Sequence, residues 1–578
     1  MERVGQVTKS ASALVIAKLV TSALFFVLAI VVNRELGPAK AGIYVYAMTL
    51  YAIFQVIPDF GLGNICIRDV SPEPRKIRKY LKNIISIRIL LGVLSFVLLM
   101  LTDIITTAVQ HSGPLSTQRF WVVFVVAFSL LLEQPFSNSL SEAFISLERQ
   151  VVVAYVYTIM GFIRVALSLL VILSGASNAL VLLMAMYVLT IGYSIAHFYV
   201  VYRRTIKRMG LAGAAVPVAE KVQLDAVQKE PDISLQVDAA VQELGLAVGP
   251  EAGAGAANEL VGLIEMAGAL KPGEGPGAAG EGEPEIDFDL WRYLLKAAWP
   301  LAIAAAGIVV YAGMDVPLLS WILGGTKGDT AVGLFNAGAM YAKAFAFLTI
   351  AVTMATMPAI SIVGKSHPER LGEIWERFLR YALLIVLPIA VIVPIIARPV
   401  LLLQKHDYIQ VWSVVWITMA AINFTMMTAI SYPFFIVLNK QQRVVQVVGV
   451  GLVLRAILDI ILISTWGYKG AAVTMLVSEI LAFAIIYFLL SRITAHRFKM
   501  FRFIGVPAVF LGVLYAVALL LQKLLISGKT FKHAAIGTMP YALLICAIIV
   551  VIYGALALST GALSRRGLNE LNELLKVK

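Results

Sequence analysis

Two arginines buried in long apolar stretches are the residues of this chain best suited to chemistry. Arg164 lies in Leu147 to Ser174 (LERQVVVAYVYTIMGFIRVALSLLVILS) and Arg455 in Leu438 to Thr465 (LNKQQRVVQVVGVGLVLRAILDIILIST). A guanidinium keeps its charge at any physiological pH and presents a planar fork of N–H groups that matches two oxygens of a phosphate or carboxylate. In hydrocarbon such a charge costs roughly 2.5 to 3.5 kcal/mol on insertion scales, so each arginine demands an anion or water. The two stretches share one register: Leu147 aligns with Leu438, Gln150 with Gln441, Arg164 with Arg455 and Leu167 with Leu458. The same offset carries Gly37 to Ala47 onto Gly328 to Gly338, pairing Gly42 with Gly333 and Tyr44 with Phe335. A constant, gapless offset implies two structurally equivalent halves. Counted from helix starts near Val151 and Gln442, both arginines stand about 20 Å up their helices at 1.5 Å per residue. Two-fold symmetry is then expected to put them on opposite walls of one cavity, as a clamp for a passing pyrophosphate.

The other ionisable residues inside apolar runs are Arg88, Glu133, Asp315, Lys343, Asp459 and Glu479. Arg88 and Lys343 join the arginine pair as candidate substrate-binding cations. Asp315, Asp459 and Glu133 are candidate ion-coupling or structural acids. Asp459 follows Arg455 by four residues, on the same helix face, so an ion pair within the helix is the alternative to a phosphate clamp there. An Arg164 to Glu133 pair is the equivalent alternative in the first half, although Arg88 and Glu133 lie nearer span ends and can be interfacial. The sequence has no phosphate-cradling glycine loop of the P-loop type, no metal-ligand cluster and no nucleophile triad, so neither a cofactor nor bond-making catalysis is expected. Cys66 and Cys546, in or beside apolar runs, read as packing residues.

The elements that must position these side chains are membrane helices. Of 578 residues 60% are apolar and 14% charged, and the mean hydropathy is +0.87, which is a polytopic membrane composition. Apolar runs of bilayer-spanning length begin near residues 11, 42, 84, 119, 151, 178, 294, 331, 378, 409, 443, 470, 503 and 537, about fourteen spans in all. Basic residues gather in alternate loops: Arg75, Lys76, Arg78 and Lys79; Arg203, Arg204, Lys207 and Arg208; Lys365, Arg370 and Arg377; Arg492, Arg497 and Lys499. Those loops are expected to face the cytoplasm, with both termini on that side. No nucleic-acid partner is expected. The fold class is thus all-α, with two six-helix halves (1–208 and 289–492), two further helices (493–560) and an amphipathic cytoplasmic tail (561–578). Six spans per half give the halves one orientation and a pseudo-two-fold axis along the membrane normal. Between them, 209–288 turns to Ala, Gly, Pro and Glu and reads as a cytoplasmic insert, either a flexible connector or a docking segment for a glycan-assembly enzyme.

Several strings resemble the polysaccharide-transport family of lipid-linked oligosaccharide flippases, within the multidrug, oligosaccharidyl-lipid and polysaccharide exporter (MOP) superfamily. They are NRELGPAKAGIYVYA and PDFGLGNICIRD in the first half. In the second they are Trp299–Pro300, Asp315 in DVPLL, Gly333 with Phe335, Pro358 with Ser361, and GYKGAA at 467–472. The resemblance covers most of residues 1–492. It implies a plasma-membrane transporter that moves a polyprenyl- or dolichyl-(pyro)phosphate-linked oligosaccharide between leaflets by alternating access, with membrane lipids around it. It also places Asp315 at an acidic position typical of the family. Two further spans, as in related peptidoglycan-precursor flippases, imply a groove for the lipid tail; scaffolding or dimer packing is the alternative. Competing functional readings are a multidrug or cation antiporter of the same superfamily, which would favour acids over arginines in its cavity, and a membrane glycosyltransferase or ligase, which would need acids in a sizeable outer loop.

Overall fold

A computed structural model of the chain describes residues 2–109, 116–147, 149–208, 286–345, 360, 363–364, 368–404, 406–438, 440–496, 506–525 and 534–559. Among them every regular element is a helix. The principal helices are α1 (Glu2–Asp59), α2 (Leu62–Val70), α3 (Ile77–Val109), α4 (Ser116–Phe128), α5 (Ser139–Ser146), α6 (Gln150–Leu173) and α7 (Ala179–Arg208), then α8 (Phe288–Gly313), α9 (Asp315–Leu323), α10 (Gly325–Ala344) and α11 (Leu371–Gln404). The chain continues through α12 (Trp412–Val437), α13 (Gln441–Trp466), α14 (Tyr468–Ile493), α15 (Val506–Leu525) and α16 (Ala534–Ser559). Eleven stretches of the described residues are long and apolar enough to cross a membrane, and the all-α, many-helix membrane class expected from the sequence is the one observed. One of the eleven, Val20–Asp59, is a double crossing in length, broken at Gly37, which takes φ 74° and ψ 172°. Only glycine adopts that backbone freely, and Pro38 then starts the next helix. The span expected from about residue 331 runs into residues outside the described set, as do 209–285 of the insert and the tail 561–578.

The described residues form two compact units. The first comprises 1–25 and 47–310, the second 26–46 and 311–578, so the chain changes unit inside α1 and inside α8. In the first unit the start of α8 is fastened to the α2–α3 corner. Leu290, Leu294 and Leu301 pack with Leu62, Ile65 and Ile84. Asp287 caps α8 by accepting from the amides of Asp289 and Leu290, each at 3.0 Å. Its other oxygen meets the Lys79 ammonium at 2.6 Å, and this bond with the two cap bonds holds the carboxyl below the usual carboxylate range. A depressed carboxyl of this kind contributes stability above its unfolded value, lost as pH falls through the folded one. Asn83 Oδ1 completes the corner, accepting from the Asp287 amide and from Trp291 Nε1, both at 2.9 Å.

In the second unit α11 carries Pro388, Pro394 and Pro399 inside the helix. Proline lacks an amide hydrogen, so Pro388 leaves the carbonyl of Leu384 without its helical partner. The Tyr553 hydroxyl, from α16, donates to that carbonyl at 2.5 Å. Around this bond Leu387, Val391 and Ile395 of α11 pack with Phe510 and Leu514 of α15 and with Ile545 and Ile549 of α16. Lipid tails are as apolar as these side chains, so burial alone does not drive the hairpin onto α11, and the polar bond acts with close packing. Tyr553→Phe, which keeps the ring and removes the donor, is expected to destabilise the purified protein by about 1 kcal/mol, read as a fall in its apparent melting temperature in detergent.

A second close approach in this unit joins residues 26–46 to α10. A Cβ on Gly42 would run into the carbonyl of Asp329, and one on Gly333 into the carbonyl of Pro38. The two helices cross backbone to backbone there, which only small residues permit.

Candidate functional site

In the first unit one polar cluster draws on four elements. Arg164 projects from α6, Tyr187 and Thr190 from α7, Tyr51 and Phe25 from α1, and Glu133 from the π-helical turn Glu133–Asn138 that interrupts the fourth span. Such turns are rare and often mark functional positions. Arg164 is 4% exposed. Its Nε donates to Thr190 Oγ1 at 3.1 Å, and its Cζ lies 4.0 Å from the centre of the Tyr187 ring and 5.9 Å from that of Phe25. A cation over a desolvated aromatic face gains about 2 kcal/mol. Beyond Nε its one further contact is from Nη2 to the Met160 sulfur at 3.9 Å, so among the described residues no oxygen meets the terminal fork. Glu133 is 8% exposed and accepts from the hydroxyls of Tyr51 and Tyr187, the latter at 3.2 Å. The expected Arg164 to Glu133 ion pair is therefore not formed; a tyrosine ring stands between the two charges.

The second unit holds a related arrangement with a different outcome. Arg455, on α13, stacks over the Tyr311 ring at 4.7 Å, and the Tyr311 hydroxyl donates to Glu479 of α14 at 3.2 Å. Here the fork is filled: Nε and Nη2 donate to the two oxygens of Asp315 at 3.0 and 2.6 Å, and Nη1 lies 4.0 Å from Glu479. Asp459, which the spacing pointed to as the partner, is fully buried with neither oxygen hydrogen-bonded to a described residue. A residue one turn along the same helix reaches a guanidinium from the side, whereas Asp315 comes from α9 and meets the fork edge-on, the orientation a two-bond contact requires.

Of the remaining sequence candidates, Arg88 is committed through both terminal nitrogens, while its buried Nε has no hydrogen-bond partner among the described residues. It makes two bonds to Glu142 at 2.7 and 2.8 Å, one to Asp59 at 3.3 Å, one to Ser139 at 2.8 Å and one to the Gln134 carbonyl at 3.3 Å. With no exposed surface it is a junction holding α1, α3, α5 and the π-helical turn together. Lys343, in the last turn of α10, is exposed and donates to Asn336 at 3.3 Å. Among the described residues no three His, Cys, Asp or Glu side chains converge in a way that could hold a metal ion.

Sequence reasoning missed Glu142 and Asp59, the counter-ions of Arg88, and the buried pair Asp103 and Arg119 at 3.4 Å. Each is an isolated charge in an apolar run, the same signal that singled out Arg164. The tyrosines Tyr51, Tyr187 and Tyr311 carried no comparable signal, since aromatic residues abound in the spans.

Solved structures show a similar helical fold. The lipid II flippase MurJ, in an inward closed conformation, matches with a TM-score of 0.62 at 11% identity, over 96% of this chain and 99% of that one. The chain shares the fold of that structure. An inward-facing multidrug resistance transporter of the MATE family of the MOP superfamily matches with a TM-score of 0.55 at 11% identity, over 82% of this chain and 95% of that one. Residues 7–219 match the family described as polysaccharide biosynthesis protein. No curated protein sequence matches the chain. The part of the chain matched by the polysaccharide biosynthesis family contains the whole Arg164 cluster.

Proposed function

We propose that this protein moves a polyprenyl- or dolichyl-(pyro)phosphate-linked oligosaccharide from the inner to the outer leaflet of the plasma membrane by alternating access, for assembly of a cell-surface glycan. The observation that carries the reading is the open fork of Arg164. A buried guanidinium with no oxygen of a described residue on its terminal nitrogens has room for an anion, and a two-oxygen phosphate is the group whose geometry fits. Arg455 is already neutralised by Asp315, so headgroup capture falls to the first half, while Asp315 and Asp459 form the ion-coupling side, with Asp459 the carboxyl placed to carry a proton. The match of residues 7–219 to polysaccharide biosynthesis proteins and the flippase fold support the same reading. The basic loops orient both termini to the cytoplasm.

The test is leaflet exchange of a fluorescent polyprenyl-pyrophosphate oligosaccharide by purified protein in liposomes. The headgroup is anionic, and an inside-negative potential favours its outward movement by about 2.3 kcal/mol per charge per 100 mV. Exchange is therefore expected to accelerate at clamped inside-negative potential and to slow when the sign is reversed. A rate indifferent to both clamps would rule out net charge movement in the slow step. Transport of a cationic dye with no movement of the lipid would transfer the protein to the multidrug reading.

A further inference from the structure

The most informative detail of the Arg164 cluster is the carboxylate that the arginine does not touch. Glu133 and Arg164 are both buried and lie on either side of one residue: the Tyr187 ring is stacked under the guanidinium and its hydroxyl bonds to Glu133. Tyr51 supplies a second hydroxyl to the same carboxylate, and its ring meets that of Tyr187 edge-on at 5.8 Å. Two opposite charges in a low-dielectric interior attract strongly, and a direct pair is the arrangement electrostatics favours once both are desolvated. Two phenol hydroxyls occupy the carboxylate instead.

The second unit shows what the same three residue types do where a single tyrosine hydroxyl is described on the glutamate. There the guanidinium stacks on Tyr311, the Tyr311 hydroxyl bonds to Glu479, and the arginine nevertheless stands 4.0 Å from that glutamate with its fork filled by Asp315. An arginine resting on a tyrosine can therefore approach a glutamate bonded to that tyrosine. In the first unit no oxygen of a described residue fills the fork, and the glutamate is kept away.

We propose that Glu133 is a held-back counter-ion: Tyr187 and Tyr51 keep it off Arg164 so that the fork stays open for an anionic phosphate, and the carboxylate is the internal competitor that takes the guanidinium when the headgroup leaves. Tyr187 and Tyr51 are then positioning residues whose hydroxyls set the affinity of the site without touching the ligand. The idea rests on the phosphate-flippase reading and deepens it, since it gives capture and release opposite partners for a single arginine. A site of this kind binds its anion firmly enough to collect it and yet has a built-in route to let it go.

The probe is farnesyl pyrophosphate, a soluble polyprenyl pyrophosphate, titrated calorimetrically into the full-length protein in detergent. Tyr187→Phe keeps the stacked ring and removes the hydroxyl, freeing Glu133 toward Arg164, and is expected to weaken binding about tenfold. Adding Glu133→Gln to that variant removes the competitor and is expected to restore the wild-type affinity. Wild-type affinity in Tyr187→Phe, or a Tyr187→Phe, Glu133→Gln variant as weak as Tyr187→Phe alone, overturns the proposal. If Tyr187→Phe does not purify as folded protein, Tyr51→Phe removes the other hydroxyl and is read in the same way. Arg164→Ala separates the two levels: binding unchanged in that variant overturns the phosphate reading itself, whereas lost binding there together with an indifferent Tyr187→Phe overturns only the held-back carboxylate.

Discussion

Arg455→Ala protein is expected not to accumulate as folded, inserted material. The substitution strips the bidentate partner from Asp315 and leaves Asp315, Asp459 and Glu479 as buried acids with no guanidinium among them. Removing one member of a buried pair costs about 3 to 5 kcal/mol, because the other is left as an uncompensated charge. That is a large share of the 5 to 15 kcal/mol, roughly, that holds a typical fold together. Removing both charges is a different experiment. An Arg455→Met, Asp315→Asn variant takes away cation and anion together, and it is expected to recover most of the folded yield seen by size-exclusion chromatography in detergent. If Arg455→Ala purified in wild-type yield with an unchanged melting temperature, Arg455 would not be the neutralising partner of that cluster.

Arg164→Ala gives the opposite phenotype. Its guanidinium bonds to one threonine hydroxyl and rests on aromatic rings, and no acid depends on it for charge balance among the described residues. Folded yield and melting temperature are therefore expected to stay close to wild type, with a loss of about 2 kcal/mol at most from the cation–π contact. Leaflet exchange of the lipid-linked oligosaccharide is expected to fall below detection. Arg164→Lys supplies charge without a planar fork, so it recovers part of the rate and no more. Full activity in Arg164→Ala at unchanged expression would remove the phosphate assignment.

The contrast between the two arginines was half legible in the sequence. Their depth, their matched positions and the need for an anion follow from spacing and the properties of hydrocarbon, and the break at Gly37 and Pro38 could be placed from the residues alone. Which anion each arginine receives could not. Helical periodicity names neighbours on one helix, and so pointed from Arg455 to Asp459; the partner came from α9, and contacts between helices leave no period in a single sequence. Glu133 was marked as an acid of interest, but its separation from Arg164 depends on a ring that one sequence cannot distinguish from the other tyrosines of the spans. Arg88 carried the same signal as Arg164 and proved to be a structural junction, because Glu142 and Asp59 surround it. Charge in an apolar run thus identifies an obligation without saying who meets it.

The crossing of Gly42 and Gly333 has the symmetry of the sequence repeat. The offset that aligns these two glycines also aligns Pro38 with Asp329, so each glycine abuts the residue that corresponds to its own counterpart's neighbour. A contact whose two sides are images of each other is the kind a homodimer makes across a two-fold axis. A half-length chain paired with its own copy would build this crossing from a single glycine, and any side chain added there would spoil both faces at once. In this single chain the two faces are independent, and the flanking residue is a proline on one side and an aspartate on the other while a glycine stands on both. Half-length chains expressed separately and mixed, Met1 to Arg208 with Asp287 to Lys578, offer a way to rebuild that seam between two polypeptides.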